Sequence, residues 1–117
     1  MRVLIVRHAI ALPRGTPGVE DAARPLTPRG RRRFERAARG LARLVPRPDV
    51  LLSSPWRRAR QTAEILARAC GGPSVTDEAA LAGQAAGKVE AALQVHRGRR
   101  LVALVGHEPQ LSALLAY

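Results

Sequence analysis

Cysteine, aromatic residues and lysine are nearly absent from this 117-residue chain. The single cysteine, Cys70, excludes an internal disulfide and any cysteine-based metal cluster, and it fits a reducing compartment. The aromatics are Phe34, Trp56 and Tyr117, so the core has to be built from Ala, Leu and Val. The same scarcity removes the stacking platforms by which proteins hold single-stranded nucleic acid. No apolar run is long enough to span a bilayer, and no charged segment followed by an apolar stretch and a cleavage site opens the chain. We therefore expect a cytoplasmic protein with no membrane partner and no specific nucleic-acid partner.

Acidic residues are also few, nine Asp and Glu against twenty Lys and Arg, for a formal net charge of +11. All the cations but Lys88 are arginine. Such a field draws anionic partners: phosphate, nucleic acid or acidic protein surfaces. Most of these arginines, however, fall on the solvent-facing positions of a helical pattern, where a composition rich in Arg, Ala, Gly and Pro places them whatever the function. The length suits one small domain, residues 1–117.

Val3-Leu4-Ile5-Val6 reads as a buried strand that breaks off at Arg7-His8. Leu12 to Pro25 holds Pro13, Gly15, Pro17 and Gly18, a density of breakers that predicts a loop without helix. Thr27-Pro28 then caps a helix whose inner positions are Phe34, Ala37, Ala38, Leu41, Leu44 and Val45, ended by Pro46 and Pro48. Asp49 to Ser53 is a second strand, and Ser54-Pro55 starts a helix with Ala59, Thr62, Ala63, Leu66 and Ala69-Cys70 inward. A weak strand over Ser74–Thr76 and a helix around Lys88–Val95 follow, then a buried strand over Arg100–Val105 and a helix over Gln110–Tyr117. This alternation predicts a three-layer α/β/α fold with a mostly parallel sheet. The apolar positions Leu111, Leu114 and Leu115 have no later element to cover them, so we expect the fold to be short at its C-terminus.

Three strands end in chemistry: Arg7-His8, then Ser53-Ser54-Pro55-Trp56-Arg57-Arg58, then Gly106-His107. Parallel strands bring such ends to one sheet edge, where ligands of open α/β sheets bind. Two imidazoles and at least two guanidinium groups share a crevice when something anionic holds them, and a transferring phosphoryl group suits them. Cations nearby favour a neutral imidazole, the form that attacks as a nucleophile. No carboxylate or third histidine stands beside His8 or His107 at ligand spacing, so we expect neither metal nor cofactor.

Four ordered segments, Arg7-His8-Ala9-Ile10-Ala11, Arg24-Pro25-Leu26-Thr27-Pro28-Arg29-Gly30, Ser53 to Ala63, and Val105-Gly106-His107-Glu108-Pro109, resemble the histidine phosphatase (phosphoglycerate-mutase-like) superfamily. Within it they are most similar to the short SixA-type phosphohistidine phosphatases. The resemblance implies a phosphoglycerate-mutase-like fold, with His8 as the nucleophile that takes up phosphoryl as a covalent phosphohistidine. It further implies that Arg7 and Arg58 clamp the phosphoryl oxygens beside His107, and that Arg24 contacts substrate. Arg57, a second substrate-binding candidate, is the neighbour most easily confused with Arg58: adjacent positions at a helix start point about a hundred degrees apart, so one of them faces the crevice. Ser53 and Ser54 read as capping hydroxyls, and Gln61-Thr62 as groups holding the helix against the strand. Larger relatives supply a proton donor from the loop after the third strand, and Asp77 and Glu78 are the candidates here. The family's Arg-His-Gly is Arg-His-Ala in this chain, which removes any need for positive φ after His8.

The implied substrate is a phosphorylated protein carrying phosphohistidine. The alternatives are a small phosphoester and a non-catalytic module that binds phosphate or polyanions.

Overall fold

The computed structural model describes residues 1–83 and 85–116. Strands β1 (Arg2–Arg7), β2 (Val50–Ser53), β3 (Val75–Asp77) and β4 (Leu101–Gly106) form one sheet in the order β1-β4-β2-β3, every neighbouring pair parallel. They alternate with helices α1 (Pro28–Leu44), α2 (Arg57–Cys70), α3 (Ala86–Gln94) and α4 (Gln110–Ala116). The expected α/β architecture is present, and the two-residue period of the strands explains its layers. Leu51, Ala103 and Val105 pack on one face with Ala38, Ala59, Ala63 and Leu66 of α1 and α2. Leu52, Val102 and Leu104 pack on the other with Leu81, Val89 and Leu93. All six residues of β4 are buried because it lies between β1 and β2 with a layer on either side.

Local chemistry sets the helix ends. The Thr27 hydroxyl accepts from the Gly30 amide at 2.9 Å, with Pro28 in the first turn of α1. Gly71, at φ 76°, closes α2 in the left-handed conformation that a side chain resists. No helix among the described residues is long and apolar enough to cross a membrane.

Several elements differ from the sequence reading. The Val3–Val6 run lies at a sheet edge rather than in the interior: β1 is bonded to β4 alone, and Val3 is 36% exposed. Both of its faces are packed, which gives the apolar run, but nothing in such a run tells a central strand from an edge one. Leu44 of α1 is 83% exposed and Leu115 of α4 75% exposed, both near helix ends where the apolar stripe has passed the sheet. Helix α2 begins at Arg57 rather than Ser54, because Ser54 still prolongs β2 and donates its N–H to the Val105 carbonyl at 2.9 Å. The breaker-rich loop holds one 3-10 turn, Asp21–Ala23, and β3 and α3 are each displaced by one or two residues. Tyr117, expected to end the last helix, lies outside the described residues.

Candidate active site

The strand register brings the functional groups together. Arg7 pairs with Gly106, so His8 and His107 stand abreast, one residue past their strands, and Ser53 pairs with Val105, which sets Ser54 level with Gly106 just behind them. The His8 amide continues the ladder onto the Gly106 carbonyl at 3.1 Å. The two imidazole rings lie 5.2 Å apart, centroid to centroid, tilted by 56°.

A hollow of about 530 Å³ opens here, lined by Arg7, His8, Ala9, Ile10, Ala11, Arg14, Arg24, Arg58, His107 and Glu108. An adjoining lobe of about 300 Å³ shares Arg14, Arg58, His107 and Glu108 and adds Asp21, Trp56, Ala82, Gly83, Pro109 and Gln110. His8, Arg7, Arg58, His107 and Arg24 therefore meet around one cavity. Arg57, one position from Arg58, is exposed and lines neither lobe, whereas Arg58 is buried at 3% exposure.

Hydrogen bonds fix the protonation of His8. Its Nδ1 lies 2.8 Å from the Ala9 carbonyl, which can only accept, so Nδ1 carries the hydrogen. Its Nε2 receives the Arg58 Nε–H at 3.3 Å and so presents a lone pair. The chemistry agrees: burial lowers the His8 pKa below its usual value, and Arg58, Arg7 and Arg24 lower it further against the opposing Ala9 bond. His107 is pushed down to about 4 by burial, then by Arg58 and His8. Both shifts favour the neutral ring at physiological pH.

Arg58 is held from three sides. Its Nη1 donates to the Asp21 carbonyl at 2.6 Å, its Nη2 lies 3.8 Å from the Asp21 carboxylate, and its guanidinium sits 4.8 Å above the centre of the Trp56 ring. Arg24 donates from Nε to Asp21 at 2.8 Å and from Nη1 to the Leu12 carbonyl at 2.6 Å. Arg14 approaches the same carboxylate at 3.5 Å. Asp21 thus lies among three arginines, and the Arg24 hydrogen bond together with these charges holds its carboxyl below the usual range despite partial burial.

Thr62 and Gln61 tie α2 to this edge. The Thr62 hydroxyl accepts from the Ala9 amide at 3.0 Å and donates to the Arg58 carbonyl at 2.7 Å, and Gln61 accepts from the Leu26 amide at 2.7 Å. Ala9 has no positive φ, as the Gly-to-Ala departure implies.

The two proton-donor candidates lie elsewhere. Asp77 is exposed and bonded to Arg60 at 2.6 Å, and Glu78 accepts from the Ala80 amide at 3.1 Å; neither lines the cavity. The carboxylates that do line it are Asp21 and Glu108, and sequence reasoning gave neither a role. Asp21 carried one available signal, its position three residues before Arg24. Among the described residues, no three of His, Cys, Asp and Glu assemble into a metal-binding group.

Comparison with known proteins gives the same grouping. The profile of the histidine phosphatase superfamily (branch 1) matches residues 3–95. An uncharacterized protein of Picosynechococcus sp. is 45% identical over 73 residues, which cover 62% of this chain and 44% of that protein. A crystal structure described as a phosphohistidine phosphatase SixA from Agrobacterium tumefaciens superposes with a TM-score of 0.87 at 31% identity, covering 97% of this chain and 74% of that one. The protein histidine phosphatase SixA complexed with tungstate gives 0.88 at 30% identity, covering 99% of this chain and 75% of that one. The match thus spans less than half the length of the curated relative and about three quarters of the solved structures.

Proposed function

Since the chain belongs to the histidine phosphatase superfamily, we propose that it is a phosphatase that works without a metal through a phosphohistidine intermediate on His8. The observation that carries this reading is the lone pair of His8 Nε2, which faces the Arg58 Nε–H in a cavity also lined by Arg7, Arg24 and His107. In the first step Nε2 attacks phosphorus, an N–P bond forms, and the bond to the leaving group breaks with its electron pair. Arg58, Arg7 and the neutral His107 supply donors to the three equatorial oxygens. In the second step water attacks, the N–P bond breaks, its electron pair returns to Nε2, and inorganic phosphate leaves.

The substrate class we propose is phosphohistidine in a protein. Likeness at about 30% identity to SixA structures, one of them a protein histidine phosphatase, supports it. A leaving imidazole that takes up a solvent proton departs more easily than an alkoxide, which fits a site where Asp77 and Glu78 stand outside the cavity. The test is incubation with a His-phosphorylated phosphocarrier protein, with sugar phosphates in parallel. We expect release of phosphate from the first and acid-labile label on His8, both lost in His8→Ala. Preferential turnover of the sugar phosphates would reassign the substrate, and unchanged anion affinity without turnover in either form would leave only a binding module.

A further inference from the structure

We infer that Ser54 is a positioning residue that holds His107 as a neutral Nδ1–H donor aimed at the phosphoryl group. The inference rests on the phosphatase reading for its use, but not for its geometry. Ser54 is fully buried at the end of β2, and its amide is anchored on the Val105 carbonyl at 2.9 Å. Its hydroxyl oxygen accepts from the Trp56 amide at 3.2 Å and lies 2.7 Å from His107 Nε2. The Trp56 amide can only donate, so it occupies a lone pair and leaves the single hydroxyl hydrogen to be placed. The acceptor bonded to that hydroxyl among the described residues is His107 Nε2.

A neutral imidazole carries one hydrogen, and the bond made by one ring nitrogen decides where it sits. With Nε2 accepting from Ser54, the hydrogen of His107 is on Nδ1. That atom is buried and has no hydrogen-bond partner among the described residues. His107 lines both lobes of the cavity, and its ring is 5.2 Å from that of His8. A buried donor left without an acceptor is rare in a finished interior, and an oxygen of a phosphoryl group on or near His8 would supply the missing acceptor. The opposite tautomer would leave the hydroxyl hydrogen without an acceptor and turn an Nδ1 lone pair toward the oxygens of an anion. Ser54 thereby lets a ring whose pKa is about 4 contribute a hydrogen-bond donor without a charge.

The tautomer can be read directly. In 15N-labelled protein, long-range proton–nitrogen correlation of the histidine rings should show His107 protonated at Nδ1 in the absence of phosphate. Ser54→Ala should move it toward Nε2–H and lower kcat by about tenfold to a hundredfold with a much smaller change in KM, because the lost orientation matters most as charge develops on the oxygens. Ser54→Thr, which keeps the hydroxyl, should restore both. His107 protonated at Nε2 in the unsubstituted protein would overturn the inference, as would Ser54→Ala with unchanged tautomer and kcat. If Ser54→Ala fails to fold, the spectrum of the unsubstituted chain still decides. An Nδ1–H ring in a protein that turns over no phosphorylated substrate would uphold the Ser54 assignment and overturn the phosphatase reading instead.

Discussion

Arg58 Nε donates to His8 Nε2 across 3.3 Å, so the nitrogen we propose as the nucleophile rests against the group proposed to hold the phosphoryl oxygens. One planar fork bonds His8 through Nε and the Asp21 carbonyl through Nη1, which a lysine cannot reproduce. Arg58→Lys should lower kcat by about a hundredfold to a thousandfold, the scale for loss of an oxyanion donor. Stopped-flow release of phosphate checks it.

The histidines set the acid side of the pH profile. Attack needs neutral His8, whose pKa lies below the usual value, so activity should persist below pH 6.5 before falling. Stability follows the same sign. His107 titrates at about 4 when folded and near 6.5 when unfolded, so between those values the unfolded chain binds the extra proton. Folding stability should therefore be steady above pH 6.5 and decline from there toward pH 4. Thermal melting across this window checks it, and His107→Asn should flatten the slope.

Thr62 is fully buried and holds the Ala9 amide, directly after the nucleophile. Thr62→Val keeps the shape but leaves that amide without an acceptor, at a cost of about 1–3 kcal/mol. We expect a lower melting temperature and a loss of kcat of about tenfold from a misplaced His8.

Asp21 is the counter-charge of the cavity. Asp21→Asn removes a carboxylate 2.8 Å from Arg24 and 3.8 Å from Arg58, and so deepens the positive potential that an anion meets. Inorganic phosphate should inhibit about threefold to tenfold more tightly, an effect that shrinks with added salt.

Two glycines of α1 should respond with opposite signs. A Cβ on Gly30 would overlap the Ile10 carbonyl oxygen, whereas one on Gly40 meets nothing within 4 Å. Gly30→Ala should destabilise by about 1–3 kcal/mol and disturb the segment after His8. Gly40→Ala should stabilise by about 0.5–1 kcal/mol, as at an open helix position. Calorimetry of the two variants gives the comparison.

The sequence made the alternation of strands and helices legible because periodicity and breakers act locally, as at Thr27-Pro28 and at Pro46 and Pro48. It also brought His8, Arg58 and His107 to one edge, since parallel strands leave little choice about where their ends lie. Strand order was not legible: Val3–Val6 has the composition of an interior strand and lies at the margin. The remainder of the site depended on the path of a loop. Asp21 reaches Arg14, Arg24 and Arg58 because Ala11–Leu26 bridging and the Leu12–Pro25 bond fold that loop back over the cavity, and no periodic pattern encodes such a return. Asp77 and Glu78 stand outside the cavity for a related reason. Chain position after a strand does not fix direction, and Arg60 and the Ala80 amide claim the two side chains first.

His8 is borne by the outermost strand on its side of the sheet, fastened along a single seam to β4. Peeling of that margin would separate His8 from Arg58 before the rest of the sheet opens, so the site can come apart at less than the cost of global unfolding. An anion gripped by His8 and Arg58 at once would act as a second fastening, and the anion-bound chain should outlast the anion-free one.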